Sequence, residues 1–115
     1  MRGHIIGSKL LTKLAKIVND NIRTVDYGFR YGGDEFIMIL VGTDAEQAKV
    51  VAERTRKQVE ESVFDVDGVQ IRVTLSIGIA SFPLHATTKE QILEMADQAM
   101  YVGKNKSRNI VFVAS

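Results

Sequence analysis

Apolar residues Ile6, Leu10, Leu14, Ile17, Val18 and Ile22 recur at helical spacing, with Lys9, Lys13, Lys16 and Asn19 on the other side. This predicts an amphipathic helix over residues 6–21, ended by Asn19-Asp20-Asn21. A strand is predicted over residues 24–31, and the unbroken apolar run 36–41 reads as a second. Thr43 followed three positions later by Glu46 predicts a capping box that opens a helix over residues 45–62, with Ala48, Val51, Ala52, Thr55 and Val59 inward. Phe64-Asp65-Val66 and Val69-Gln70-Ile71 flank Asp67-Gly68, a strong hairpin signal. The second arm is expected to run on unbroken to Ala80, with Gly78 marking a bulge or a close backbone approach. Pro83 ends it within a loop, and Thr88-Lys89-Glu90-Gln91 is a second capping box. The helix that follows turns Ile92, Leu93, Ala96, Ala99 and Met100 inward, stops at Gly103 and the polar run through Asn109, and leads to a strand over residues 110–113. Helices alternating with hairpins indicate one α+β domain over residues 1–115, its antiparallel or mixed central sheet flanked by helices.

Composition narrows the class. The 115 residues suffice for one core, and 45% apolar with 25% charged content is that of an ordinary globular chain. A formal charge of +1 gives no basic field for nucleic acid. Cysteine is absent, so disulfides and thiolate metal sites are excluded. No apolar run approaches the roughly 20 residues of a membrane span, which makes a cytoplasmic domain without membrane contact the expectation.

The candidate chemistry lies between the first two strands, in Arg30-Tyr31-Gly32-Gly33-Asp34-Glu35-Phe36. Paired glycines accept the positive φ angles of a tight turn and let a ligand approach the backbone. Adjacent carboxylates at its tip suit a hard divalent cation completed by water and substrate phosphates. An acidic turn is also ordinary solvation, and the residues alone leave both readings open. Lone His4 and His85 lack a second ligand at metal spacing and are read as turn or capping residues.

This heptad resembles the signature of the GGDEF family, the diguanylate cyclases. Three further blocks extend the resemblance: Gly3-His4-Ile5-Ile6-Gly7, the strand Leu75-Ser76-Ile77-Gly78-Ile79-Ala80, and Ala96-Asp97-Gln98-Ala99-Met100-Tyr101 followed by Lys104 and Arg108-Asn109. The resemblance implies a fold like the nucleotidyl cyclase or polymerase palm (ferredoxin-like). It implies that a homodimer condenses two GTP into cyclic di-GMP, using Mg²⁺ or Mn²⁺. Asp34 and Glu35 then match the metal-binding and catalytic carboxylates, Gly32 and Gly33 the nucleotide-facing backbone, and Lys104 and Arg108 the phosphate-facing cations. Read without the family, those two cations are a helix C-terminal charge pair. Arg23-Thr24-Val25-Asp26 matches the family's Arg-x-x-Asp product-inhibition site, to which Arg54 is a candidate second arginine. Their alternative is a surface ion pair worth roughly 0–1 kcal/mol.

The chain also departs from the family pattern. A first strand with a metal-binding aspartate, and a guanine-reading asparagine, precede the glycine-histidine segment in the family; neither precedes Gly3 here. Ser8 stands where the family has a second guanine-reading aspartate. The chain is thus either a fragment or a natural short form, with low turnover expected, and a cyclic di-GMP-binding or dimerisation module is the alternative to an enzyme. In the family the absent strand lies between the strand after the motif and the one ending at Ala80. Those two strands are therefore expected either to pair directly or to receive a strand from another chain.

Overall fold

The computed structural model describes residues 2–32, 35–82, 88–104 and 111–113. The first stripe folds as α1 (Arg2–Asp20), which begins ahead of the predicted start. A glycine costs a helix interior about 1 kcal/mol but is not a stop, and nothing else in the first residues ends a helix. Leu14 and Val18 are buried, with Leu10, Ile17 and Ile22 packed beside them. The lysines Lys9, Lys13 and Lys16 are exposed, as their spacing requires.

After α1 come β1 (Tyr27–Gly32), β2 (Glu35–Val41), α2 (Ala45–Glu61), β3 (Phe64–Val66), β4 (Val69–Ile71), β5 (Ser76–Phe82), α3 (Lys89–Lys104) and β6 (Val111–Val113). The main sheet has the order β1-β2-β5-β6, and β3-β4 is a separate ribbon. β1 pairs with β2 antiparallel, whereas β2–β5 and β5–β6 are parallel, so the sheet is mixed. The two apolar strands therefore pair directly, the first of the two expected outcomes, from Glu35 beside Ser76 to Val41 beside Phe82. Their nearly continuous apolar sequences reflect burial on both faces.

Phe36, Met38, Leu40, Ile77 and Ile79 meet Leu14, Val18, Ala48, Ala52 and Val59 in the main core, on the face covered by α1 and α2. The alternate residues Ile37, Ile39 and Ala80 are equally buried on the opposite face, where α3 packs on β5 and β6. Tyr27 and Phe29, in register with Ile39 and Ile37, share that second face but stay partly exposed at the sheet edge.

Several boundaries differ from the sequence pattern. β1 starts at Tyr27 because residues 23–26 form a turn, closed by the Asp26 N–H donating to the Arg23 carbonyl at 3.0 Å. The cap of α2 is Asp44 and not Thr43: the Asp44 carboxylate accepts from the Gln47 N–H at 2.8 Å. Thr43 instead donates to the Val41 carbonyl. The expected long arm is broken: β4 ends at Ile71, residues 72–75 carry no regular structure, and β5 begins at Ser76 in the other sheet. Gly78 carries no bulge, being in continuous register with both Ile37 and Phe112. The Asp67-Gly68 hairpin forms as expected, with φ of 53° and 82° at its two central residues. The second capping box is reciprocal: the Gln91 N–H donates to Thr88 Oγ1 at 3.1 Å and the Thr88 N–H to Gln91 Oε1 at 3.2 Å. Of the inward residues named for α3, only the Leu93 side chain is among those described, and it is half-buried.

Gly28 marks the closest approach of β1 to α1. A Cβ there would lie 2.9 Å from Val18 Cγ1 and 3.0 Å from Ile22 Cδ1. Val18 is β-branched, buried and unable to turn aside. Gly28→Ala is expected to lower stability by about 1–3 kcal/mol through overpacking, read as a reduced urea midpoint at unchanged slope.

Candidate functional site

The hairpin between β1 and β2 carries a bulge at its tip. Arg30 faces Phe36 and Gly32 faces Glu35, so Tyr31 is the extra residue. Bulges bend a strand and re-aim a side chain, and they cluster next to active sites. Gly33 and Asp34, which complete the turn, lie outside the described residues. Glu35 opens β2 with only 7% of its surface exposed, and its in-register neighbour on β5 is Ser76, equally buried. Both are on the face of the sheet that α3 covers.

Across from the bulge, Asp97 on α3 hydrogen-bonds to the Tyr31 side chain. That bond first, then burial and the negative charges of Asp97 and Glu35, holds the Tyr31 phenol above its ordinary pKa. A cavity of about 440 Å³ opens here, lined by Tyr31, Asp97, Gln98 and Tyr101. Lys104 is the last residue of α3, with its side chain outside the described set; Arg108 lies outside the described residues altogether.

A second cluster occupies the other end of β2. The Asp26 side chain is 2% exposed, and Arg23 beside it is 57% exposed. Arg23 donates through Nε to Asp26 Oδ2 at 3.0 Å and through Nη2 to Oδ1 at 2.9 Å, a bidentate pair. Asp26 also accepts from its own turn, the Arg23 N–H at 2.8 Å, and from the Val41 N–H at 2.9 Å. Arg23 Nη2 reaches the Val41 carbonyl and, at 3.0 Å, Thr43 Oγ1. Burial alone would raise the Asp26 pKa. The bonds from the Arg23 side chain, the Val41 N–H and the Arg23 N–H outweigh it and hold the carboxyl below its ordinary range.

Arg54 is near this corner but serves α1. Its Nε donates to Asn21 Oδ1 at 2.9 Å and its Nη2 to the Asn21 carbonyl at 3.2 Å. Asn21 in turn donates to the Ile17 carbonyl at 2.8 Å and to Gln58 Oε1 at 3.0 Å. Arg54 thus places its charge where the α1 dipole is negative.

The family model described as "Diguanylate cyclase, GGDEF domain" matches residues 1–110. This chain belongs to the GGDEF family. Diguanylate cyclase A of Treponema denticola is 44% identical over 109 residues, which are 95% of this chain and 29% of that protein. Diguanylate cyclase DosC of Escherichia coli K12 is 40% identical over 110 residues, covering 95% of this chain and 24% of DosC. The crystal structure of the GGDEF domain of PA1120 (YfiN or TpbB) from Pseudomonas aeruginosa superposes with a TM-score of 0.82 at 31% identity, covering 98% of this chain and 71% of that one. The chain spans less than a third of the curated relatives it matches.

Within this GGDEF domain the donor chemistry suits a shared metal ion. Glu35 is a carboxylate held at the mouth of the turn, with Asp34 adjacent in sequence. No group of three potential ligands gathers among the described residues. Mg²⁺ bound here would complete its coordination with water and substrate phosphate, as is usual for that ion. Sequence reasoning did not single out Tyr31, Ser76 or Asp97 as site residues. Tyr31 and Asp97 meet only through the bulge and the packing of α3, and Ser76 reaches Glu35 only through the β2–β5 register.

The corner makes a pH prediction. A depressed carboxyl contributes stability above its unfolded pKa of about 3.9, and that contribution is lost as pH falls through the lower folded value. Unfolding free energy should therefore fall with acidification below about pH 4, with a shallower fall in Asp26→Asn. At pH 7 Asp26→Asn should cost about 2–3 kcal/mol, because Arg23 and the Val41 N–H lose a charged acceptor. Urea titrations at pH 3 to 7 read both.

Proposed function

We propose that this chain is the catalytic domain of a diguanylate cyclase. Two GTP are joined into cyclic di-GMP, each 3′-hydroxyl oxygen attacking the α-phosphorus of the other nucleotide. Two O3′–Pα bonds form, two Pα–O bonds to the β-phosphates break, and two pyrophosphates leave. The reading draws on family membership and on the observation that carries it here: the buried Glu35 carboxylate at the mouth of the turn. Glu35 holds the position from which the 3′-hydroxyl proton is taken, and Asp34 and Glu35 bind the metal. Bound Mg²⁺ or Mn²⁺ supplies charge neutralisation on the phosphates. Gly32 and Gly33 leave room for the nucleotide against the backbone, and Lys104 and Arg108 face the phosphates. A homodimer brings two GTP together, and its substrate is that of the cytoplasm.

Ser8, exposed on α1, limits this activity in the reading. Its single hydroxyl cannot accept two N–H donors from guanine as a carboxylate does. Chromatography of products from Mg²⁺ and GTP should show little cyclic di-GMP from the unmodified chain and more from Ser8→Asp. Glu35→Gln in that background should reduce formation about 100-fold or more. Robust formation that ignores Glu35 would sink the assignment.

The Arg23 corner favours a second role, the binding of cyclic di-GMP. Asp26, Thr43 and the Val41 carbonyl fix Nε and Nη2, while the residue remains 57% exposed. A guanidinium immobilised in this way is prepared to meet a phosphate or a guanine edge. Here Asp26 is the group that holds the arginine, and Arg54 joins only by leaving Asn21. In a calorimetric titration with cyclic di-GMP, Arg23→Ala should weaken binding by about 1.5–3 kcal/mol. Equal binding by the two proteins would remove this role.

A further inference from the structure

We propose that Tyr31 and Asp97 are a positioning pair, which locks α3 to the bulged turn so that the carboxylate end and the α3 C-terminus can hold one nucleotide triphosphate. The inference rests on the cyclase reading and deepens it. Tyr31 is the residue that the bulge removes from the ladder: Arg30 and Gly32 face Phe36 and Glu35, and Tyr31 has no cross-strand partner in that register. A bulge releases a side chain in a new direction, and here that direction is α3. The Tyr31 hydroxyl meets the Asp97 carboxylate, close enough to Glu35 that both carboxylates hold the phenol in its neutral, hydrogen-donating form.

The surroundings show why this bond matters. α3 is seated on β5 and β6 and barely touches β2. Where it passes the hairpin tip there is the cavity of about 440 Å³ rather than close packing. Packing therefore does not set the distance from the turn to α3. Tyr31, in contrast, is two residues from the undescribed Gly33 and four from Glu35, and Asp97 is seven residues before Lys104, the end of α3. One hydrogen bond thus links the two elements that the proposed mechanism needs in fixed register. Constellations of this kind must be held within about 0.5 Å to be productive.

A calorimetric titration of the full chain with Mg²⁺ and 3′-deoxy-GTP, which lacks the attacking hydroxyl and cannot cyclise, tests the pair. Tyr31→Phe and Asp97→Ala should each weaken binding about 3- to 10-fold, the worth of one net hydrogen bond. The double variant should be no weaker than either single one. Asp97→Asn retains an acceptor oxygen and should stay within about 2-fold of the unmodified chain. Urea midpoints should stay nearly constant across the series, because the bond borders a cavity and contributes little to global stability. Unchanged affinity in Tyr31→Phe and Asp97→Ala, additive losses in the double variant, or a loss in Tyr31→Ala that Tyr31→Phe does not share would each overturn the pair. Should Tyr31→Phe fail to fold, the contrast between Asp97→Ala and Asp97→Asn decides. Failure of the unmodified chain to bind 3′-deoxy-GTP at all would instead remove the cyclase reading, and this inference with it.

Discussion

The parallel pairing of β2 with β5 is the constraint on which the rest depends. Both strands are buried on both faces, so each needs helices above and below and neither could stand at an edge. Their register runs without interruption from Glu35 beside Ser76 to Val41 beside Phe82. One strand thereby carries a candidate site at each end: the carboxylate turn at Glu35 and the arginine corner at Val41. The span is about 20 Å of rigid backbone at roughly 3.3 Å per residue. A slip by one residue would turn Glu35 into the α1–α2 core and expose Phe36 on the other face.

Polar groups are settled around this strand by different means. Asp26 is buried but surrounded by an arginine and two backbone N–H groups, which together exceed the cost of its desolvation. Asp97 stays at the surface and engages a phenol instead. Lys9 joins Asp67 at 2.8 Å and so ties α1 to the β3–β4 ribbon, but both side chains are 53% exposed. Exposed pairs of that sort contribute roughly 0–1 kcal/mol. The corner is thus the stronger electrostatic anchor, and it fastens the start of the hairpin to the end of β2.

Periodicity and local chemistry in the sequence determined most of the elements. Leu14 and Val18 on α1, Ala48, Ala52, Thr55 and Val59 on α2, the Asp67-Gly68 hairpin and the Thr88–Gln91 capping box all follow from interactions within a few residues of chain. The heptad around Gly32 and Gly33 also located the turn, because its residue types announce their chemistry without reference to distant contacts. What only the tertiary structure decided is where long-range partners override local preference. Thr43 is the better capping-box match, yet it loses the cap to Asp44 while its hydroxyl serves the Arg23 corner. The β-branched run 69–80 is locally one strand, yet it divides between two sheets because Leu75 is needed in the core. Arg54 turns to the end of α1, and Tyr31 turns to Asp97, 66 positions away. Such pairings depend on register and helix packing, and these are set by burial summed over the whole sheet, which no short stretch of sequence contains.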